Sequence, residues 1–140
     1  MYIYAEFPDD IMKHWNARQD HYIGLLEMLA LLVTVTTFRQ ELAGGLLLAF
    51  VDNQGALRSV IRASARAAET EIMVGHVWRI CTKEQIGFSG WRVESKANVA
   101  DGPTRNYFRD VVVELKARFL PPVFPQFLFD LWRHLEIPDL

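Results

Sequence analysis

Six apolar residues in an unbroken row, Leu46-Leu-Leu-Ala-Phe-Val51, run straight into Asp52. A short apolar run that does not alternate suits a strand covered on both faces, as in a parallel or mixed sheet, so a central strand is expected over Leu46 to Val51. A carboxylate at the end of such a segment must be solvated, paired or holding a cation, because an isolated buried charge is strongly unfavourable. Two roles stand open for Asp52. It lies where ligands collect in open α/β sheets, at the carboxyl end of a strand, and it also precedes a helix that it would suit as an N-cap.

Around this strand the chain punctuates itself. Met1 to Phe7 reads as a short strand ended by Pro8-Asp9-Asp10. From Asp20, a suitable N-cap, to the stop at Gly44-Gly45 the pattern predicts one long helix, and no turn residue interrupts it even at the β-branched Val33-Thr-Val-Thr-Thr37. Shorter and longer helices are expected over Ala56 to Ile61 and Glu69 to Glu84, where Ile72, Met73, His76, Val77 and Ile80 keep a helical interval. A strand at Ile86 to Val93, a loop at Ser95 to Thr104 and a helix at Arg105 to Phe119 complete the order β-α-β-α-α-β-α. Pro121-Pro122-Val-Phe-Pro125 breaks that last helix. Phe124, Phe127, Leu128, Leu131, Trp132 and Leu135 then mark a C-terminal amphipathic helix, either docked on the parent domain or open to a partner. The expected division is a domain over residues 1–119 and a proline-rich turn with the amphipathic helix over 120–140.

With 140 residues, 51% of them hydrophobic, the chain has the material for one core rather than a disordered tail. A net charge of -2 gives no global attraction for nucleic acid, so any such role must rest on local charge. The single cysteine, Cys81, cannot close an intrachain disulfide, and no Cys/His spacing suggests zinc. No run is long enough to span a membrane and Met1-Tyr-Ile-Tyr-Ala-Glu is unlike a signal peptide, so a soluble intracellular protein in the cytoplasm or nucleus, with no membrane partner, is expected. His14, His21, His76 and His134 are scattered, and none receives a proton-transfer role.

Two further acids sit in telling places. Glu27 lies in Leu25-Leu-Glu-Met-Leu-Ala-Leu-Leu32, a helix apolar nearly all round, where a lone carboxylate would ordinarily be ion-paired or face a gap in the packing. Asp101 lies in Ser95-Lys-Ala-Asn-Val-Ala-Asp-Gly-Pro-Thr-Arg105, where Asp-Gly-Pro would ordinarily mark a turn. One acid on a buried helix, one at a strand end and one opening the last helix form a pattern. With the stretches Leu-Glu-Met-Leu-Ala, Val-Asp-Asn-Gln-Gly-Ala-Leu and Ser-Lys-Ala-Asn-Val-Ala-Asp-Gly-Pro-Thr-Arg in this order, the chain resembles the ribonuclease H-like domain attached to reverse transcriptases of retrotransposons. The resemblance runs from about Trp15 to Arg105 and includes Trp78.

The resemblance implies an α/β fold with a mixed sheet flanked by helices, and makes Glu27, Asp52 and Asp101 three of four carboxylates that bind two Mg²⁺ or Mn²⁺ ions. Such ions take hard oxygen ligands, and a pair about 4 Å apart would activate a water and stabilise the departing oxygen of a phosphodiester. The family's fourth ligand, an aspartate on its first strand, has no counterpart in Met1 to Trp15. The expectation is therefore an N-terminally truncated domain in which another polypeptide supplies the missing strands, or Met1 to Phe7 moves in beside Leu46 to Val51, or the fragment is a poorly folding relic. On the substrate side, Arg58, Arg62 and Arg66 recur every four residues, and Lys96 and Arg105 flank Asp101. These would track a phosphate backbone, while Asn53, Gln54 and Asn98 are the amides placed to meet a 2′-hydroxyl. Two functions follow as expectations: a retroelement nuclease that hydrolyses the RNA strand of RNA–DNA hybrids, impaired by the absent carboxylate, or a catalytically silent nucleic-acid or protein-binding module on the same scaffold.

Overall fold

The structure, a computed structural model, describes residues 1–6, 9, 12–13 and 23–129. Helix α1 spans Ile23–Thr37 and is followed by a single turn at Arg39–Leu42. Its C-terminal half carries Thr34, Thr36 and Thr37, residues with strand propensity. Each hydroxyl donates to the carbonyl four residues back at 2.7 Å, so these side chains satisfy themselves within the helix. Asp20, the expected N-cap, lies outside the described residues.

Strand β1, Leu46–Val51, leads through Asp52 and Asn53 into α2, Gln54–Ile61. Helix α3, Ala68–Lys83, follows, and strand β2, Gly87–Arg92, returns parallel to β1 in the register Leu46↔Gly87 to Val51↔Arg92. A Schellman closure ends α3: Gln85 takes a left-handed backbone at φ 56°, and Ile86 N–H reaches the Cys81 carbonyl at 2.8 Å. That closure aims the chain into β2, where Gly87 N–H donates to the Gly45 carbonyl at 2.8 Å. The result is an α/β protein with a two-stranded parallel sheet among the described residues.

The core lies between α1, α2 and α3. Met28, Leu29, Leu32 and Val35 of α1 meet Val60 of α2 and Met73, Val74, Val77 and Cys81 of α3, all essentially without solvent exposure. Fully burying a Leu, Met or Val side chain stabilises by about 1.5–3 kcal/mol relative to leaving it exposed, so this cluster carries most of the fold. Trp78 ties the layers together: its indole N–H donates to the Val60 carbonyl at 2.7 Å, and its ring meets Phe88 of β2 edge-on. At Gly90 the missing side chain admits α2, for a Cβ there would stand 2.7 Å from a methyl of Leu57. From the chain's far end, Leu128 is wholly buried in the same core, and His76 stacks on Phe127 with ring centroids 3.5 Å apart. Gln126 to Phe129 is helical; the rest of the expected C-terminal helix lies outside the described residues.

Three expectations are corrected. Leu46 to Val51 is not covered on both faces: Leu46, Leu48 and Phe50 are exposed, at 64%, 52% and 61%. Its unbroken apolarity reflects one packed face and one apolar face turned to water. The N-terminal segment does not move in beside β1. Tyr2 instead makes an isolated parallel bridge to Phe119, with Tyr2 N–H on the Arg118 carbonyl and Leu120 N–H on the Tyr2 carbonyl, and its ring joins Phe108 and Phe119. Arg105 to Phe119 is not a helix. Asn106 and Lys116 adopt left-handed backbones, at φ 60° and 49°, and only Asp110–Glu114 coils, as a π turn. The run Val111-Val-Val113 is β-branched, and only Val111 is buried, so no apolar stripe offsets its poor helix propensity.

Candidate functional site: an acid pair at the sheet's carboxyl end

Parallel pairing puts the carboxyl ends of β1 and β2 side by side, and past Val51 the next side chain is Asp52. The capping alternative for Asp52 is removed by its neighbour. Asn53, in extended backbone, accepts the Ala56 N–H on its side-chain oxygen at 2.9 Å and so caps α2. Asp52 is left to face the packed side, where it meets Glu27 of α1. The two carboxyl groups share a hydrogen bond. Burial, the nearby Asp52 charge and that hydrogen bond, in this order, push the Glu27 carboxyl up to about 7. Near neutral pH Glu27 therefore holds a proton much of the time and donates it toward Asp52, which is how two acids tolerate one half-buried spot.

Ser95 completes the arrangement. The backbone continues β1–β2 pairing for one step beyond the strands, Val93 N–H donating to the Val51 carbonyl at 3.2 Å. That step brings the Ser95 hydroxyl to 3.4 Å from Asp52 Oδ2, a loose approach. Ser95 was missed from the sequence, although a parallel register between β1 and β2, once assumed, places it there. Gly24 also belongs to this corner, since a Cβ on it would approach within 3.9 Å of the Asn53 side-chain oxygen.

Asp101 is held elsewhere. It opens a one-turn helix, Asp101–Thr104, and its Oδ2 pairs with Arg105 at 3.2 Å. Among the described residues no three His, Cys, Asp or Glu side chains come close enough to hold one metal ion. Of the expected substrate-side residues, Asn53 has its oxygen occupied in the cap, and Asn98 has its own on Ala100 N–H at 3.1 Å. Gln54 and Lys96 stand exposed. Arg105 is engaged with Asp101, whereas Arg58, Arg62 and Arg66 line one pocket beside α2. His76 is a boundary residue packed on Phe127, its pKa lowered by burial and by Arg79. Cys81 is a buried free thiol, raised by burial and unsuited to nucleophilic work.

No protein-family model matches the chain, and no curated protein or solved structure is significantly similar to it. No helix among the described residues is long and apolar enough to cross a membrane.

Proposed function

We propose that the chain is part of a ribonuclease H-like nuclease that hydrolyses the RNA strand of RNA–DNA hybrids. The observation that supports this most is the meeting of Glu27 and Asp52, remote in sequence, at the carboxyl end of a parallel pair of strands. Their donor chemistry suits Mg²⁺ or Mn²⁺: hard carboxylate oxygens in a half-buried place, where repulsion between the acids is relieved by a proton or by a cation. Bound there, such ions would supply Lewis acidity toward the attacking water and the leaving oxygen. The chain's own residues have narrower tasks. Asp52 and Glu27 would hold the ions, and the Asn53 cap fixes the direction of Asp52 by starting α2 directly behind it. In the family resemblance Asp101 and a first-strand aspartate complete the set, within a mixed sheet that further strands, from another polypeptide or another part of the parent protein, would extend.

The test is cleavage of a hybrid labelled in its RNA strand, with Mg²⁺ or Mn²⁺. Asp52→Asn should abolish cutting with the thermal transition intact. The second reading, a binding module that does not cut, is favoured by the engagement of Asp101 with Arg105 rather than with the acid pair. Its signature is a wild-type protein that binds hybrids with Mg²⁺ or Mn²⁺ present and leaves them uncut.

A further inference from the structure

Beside the acid pair, α2 ends in a second Schellman closure. Ala63 takes a left-handed backbone at φ 52°, Ser64 N–H reaches the Ser59 carbonyl at 3.1 Å, and Ala63 N–H reaches the Val60 carbonyl at 3.1 Å. The closure folds Ser64 to Arg66 back along the helix rather than away from it. Glu71 of α3 locks the returned loop by accepting the Ala65 N–H. Between helix and loop lies a pocket of about 600 Å³ whose charged lining is Arg58, Arg62 and Arg66 alone, with the hydroxyls of Ser59 and Ser64 between them.

None of these three arginines has an ion-pair partner among the described residues. A cation near a helix C-terminus satisfies the helix dipole, and that accounts for Arg58 in the last turn and Arg62 at the C-cap. It does not account for the third, Arg66, which lies beyond the helix and reaches the pocket only because the chain turns back. Guanidinium forks present paired N–H donors that match phosphate oxygens, and the Ser64 hydroxyl adds an uncharged donor, whereas Ser59 spends its proton on the Gly55 carbonyl at 3.0 Å. The pocket is built on the same helix that Asn53 starts beside Asp52, and its lining begins at Gly55 in the first turn of that helix.

We propose that this pocket seats consecutive backbone phosphates of a nucleic-acid strand and so sets where that strand lies relative to Glu27 and Asp52. The proposal rests on the reading that the chain acts on nucleic acid. The experiment is fluorescence anisotropy with a labelled RNA–DNA hybrid in EDTA, which separates binding from cleavage, repeated across a salt series. Removing one arginine, as Arg62→Ala, should lower the slope of log affinity against log salt by about one contact. The triple alanine variant should bind at least tenfold more weakly with an unchanged thermal transition. Arg62→Lys should keep the slope and still lose affinity, because charge survives and the fork does not. Arg39→Ala, outside the pocket, should change nothing. Wild type and triple variant binding the hybrid alike overturns the pocket and leaves the nucleic-acid reading standing. A wild type that ignores the hybrid overturns both, and one that binds pyrophosphate but no hybrid overturns the nucleic-acid occupant.

Discussion

The two faces of the β1–β2 sheet are built from equally apolar residues and end in opposite surroundings. On one face Ala49 is buried and Gly90 lies against Leu57 of α2, and behind them α1 and α3 close a core with almost no exposure. On the other, Leu46, Leu48, Phe50 and Trp91 are exposed, and the indole N–H of Trp91 finds only Ser89 on its own strand. The difference teaches that apolarity in a strand states a demand for cover without saying what meets it. An apolar face of this kind is a place where monomeric proteins rarely stay bare.

Substitutions that treat the two faces alike measure that contrast. Leu32→Ala, on the packed side, should cost about 3 kcal/mol in urea unfolding, as cavities in closed cores do. A loss below 1 kcal/mol would mean that the core is not closed. At the rim where the packed side meets the strand ends, Glu27→Gln should stabilise the protein by about 1 kcal/mol at pH 8, the figure being reduced for a half-buried group that solvent partly screens. The sign follows from the raised pKa. Folded Glu27 keeps its proton to about pH 7, the unfolded side chain only to about 4.5. Its contribution is therefore complete below pH 4.5 and is lost as pH rises through 7. Below pH 4.5 wild type and Glu27→Gln should be equally stable, and a gain that persists there would locate the effect in packing rather than charge.

Asn53→Ala should lose about 1 kcal/mol, the usual worth of an N-cap, whereas Asp52→Asn should leave the cap untouched. Equal losses at both positions would return Asp52 to a capping role. The smallest effect belongs to the open face: Leu48→Ala should change stability by less than about 0.5 kcal/mol in the isolated chain. A large loss would show that the face is covered in solution, and sedimentation at rising concentration would tell whether a second copy covers it.

Much of this arrangement was legible in the residues. The helix through Val33 to Thr37 could be read because no turn residue interrupts it, and the threonines confirm the reason by bonding back to their own turn. The parallel strands and the helices between them stand where apolar runs and glycine stops put them, within two residues. The nearness of Glu27 to Asp52 was an expectation from resemblance, and the acid pair agrees with it; the place of Asp101 beside Arg105 was not anticipated. Residues 105–119 were expected to be helical, yet a helix there would need something to bury an apolar stripe, and Val112, Leu115 and Phe119 are exposed. The choice between Asp52 and Asn53 as N-cap was beyond the sequence, since either side chain can accept the same N–H. Backbone direction decided it, by turning one toward α2 and the other toward α1.

The bridge from Tyr2 to Phe119 joins segments separated by almost the whole described chain. Closing so wide a loop forfeits chain entropy that only a few backbone bonds and three aromatic rings return, so it forms after the helices have assembled. Amide protons at Tyr2 and Leu120 should accordingly exchange with solvent well before those of α1, through openings that leave the interior undisturbed.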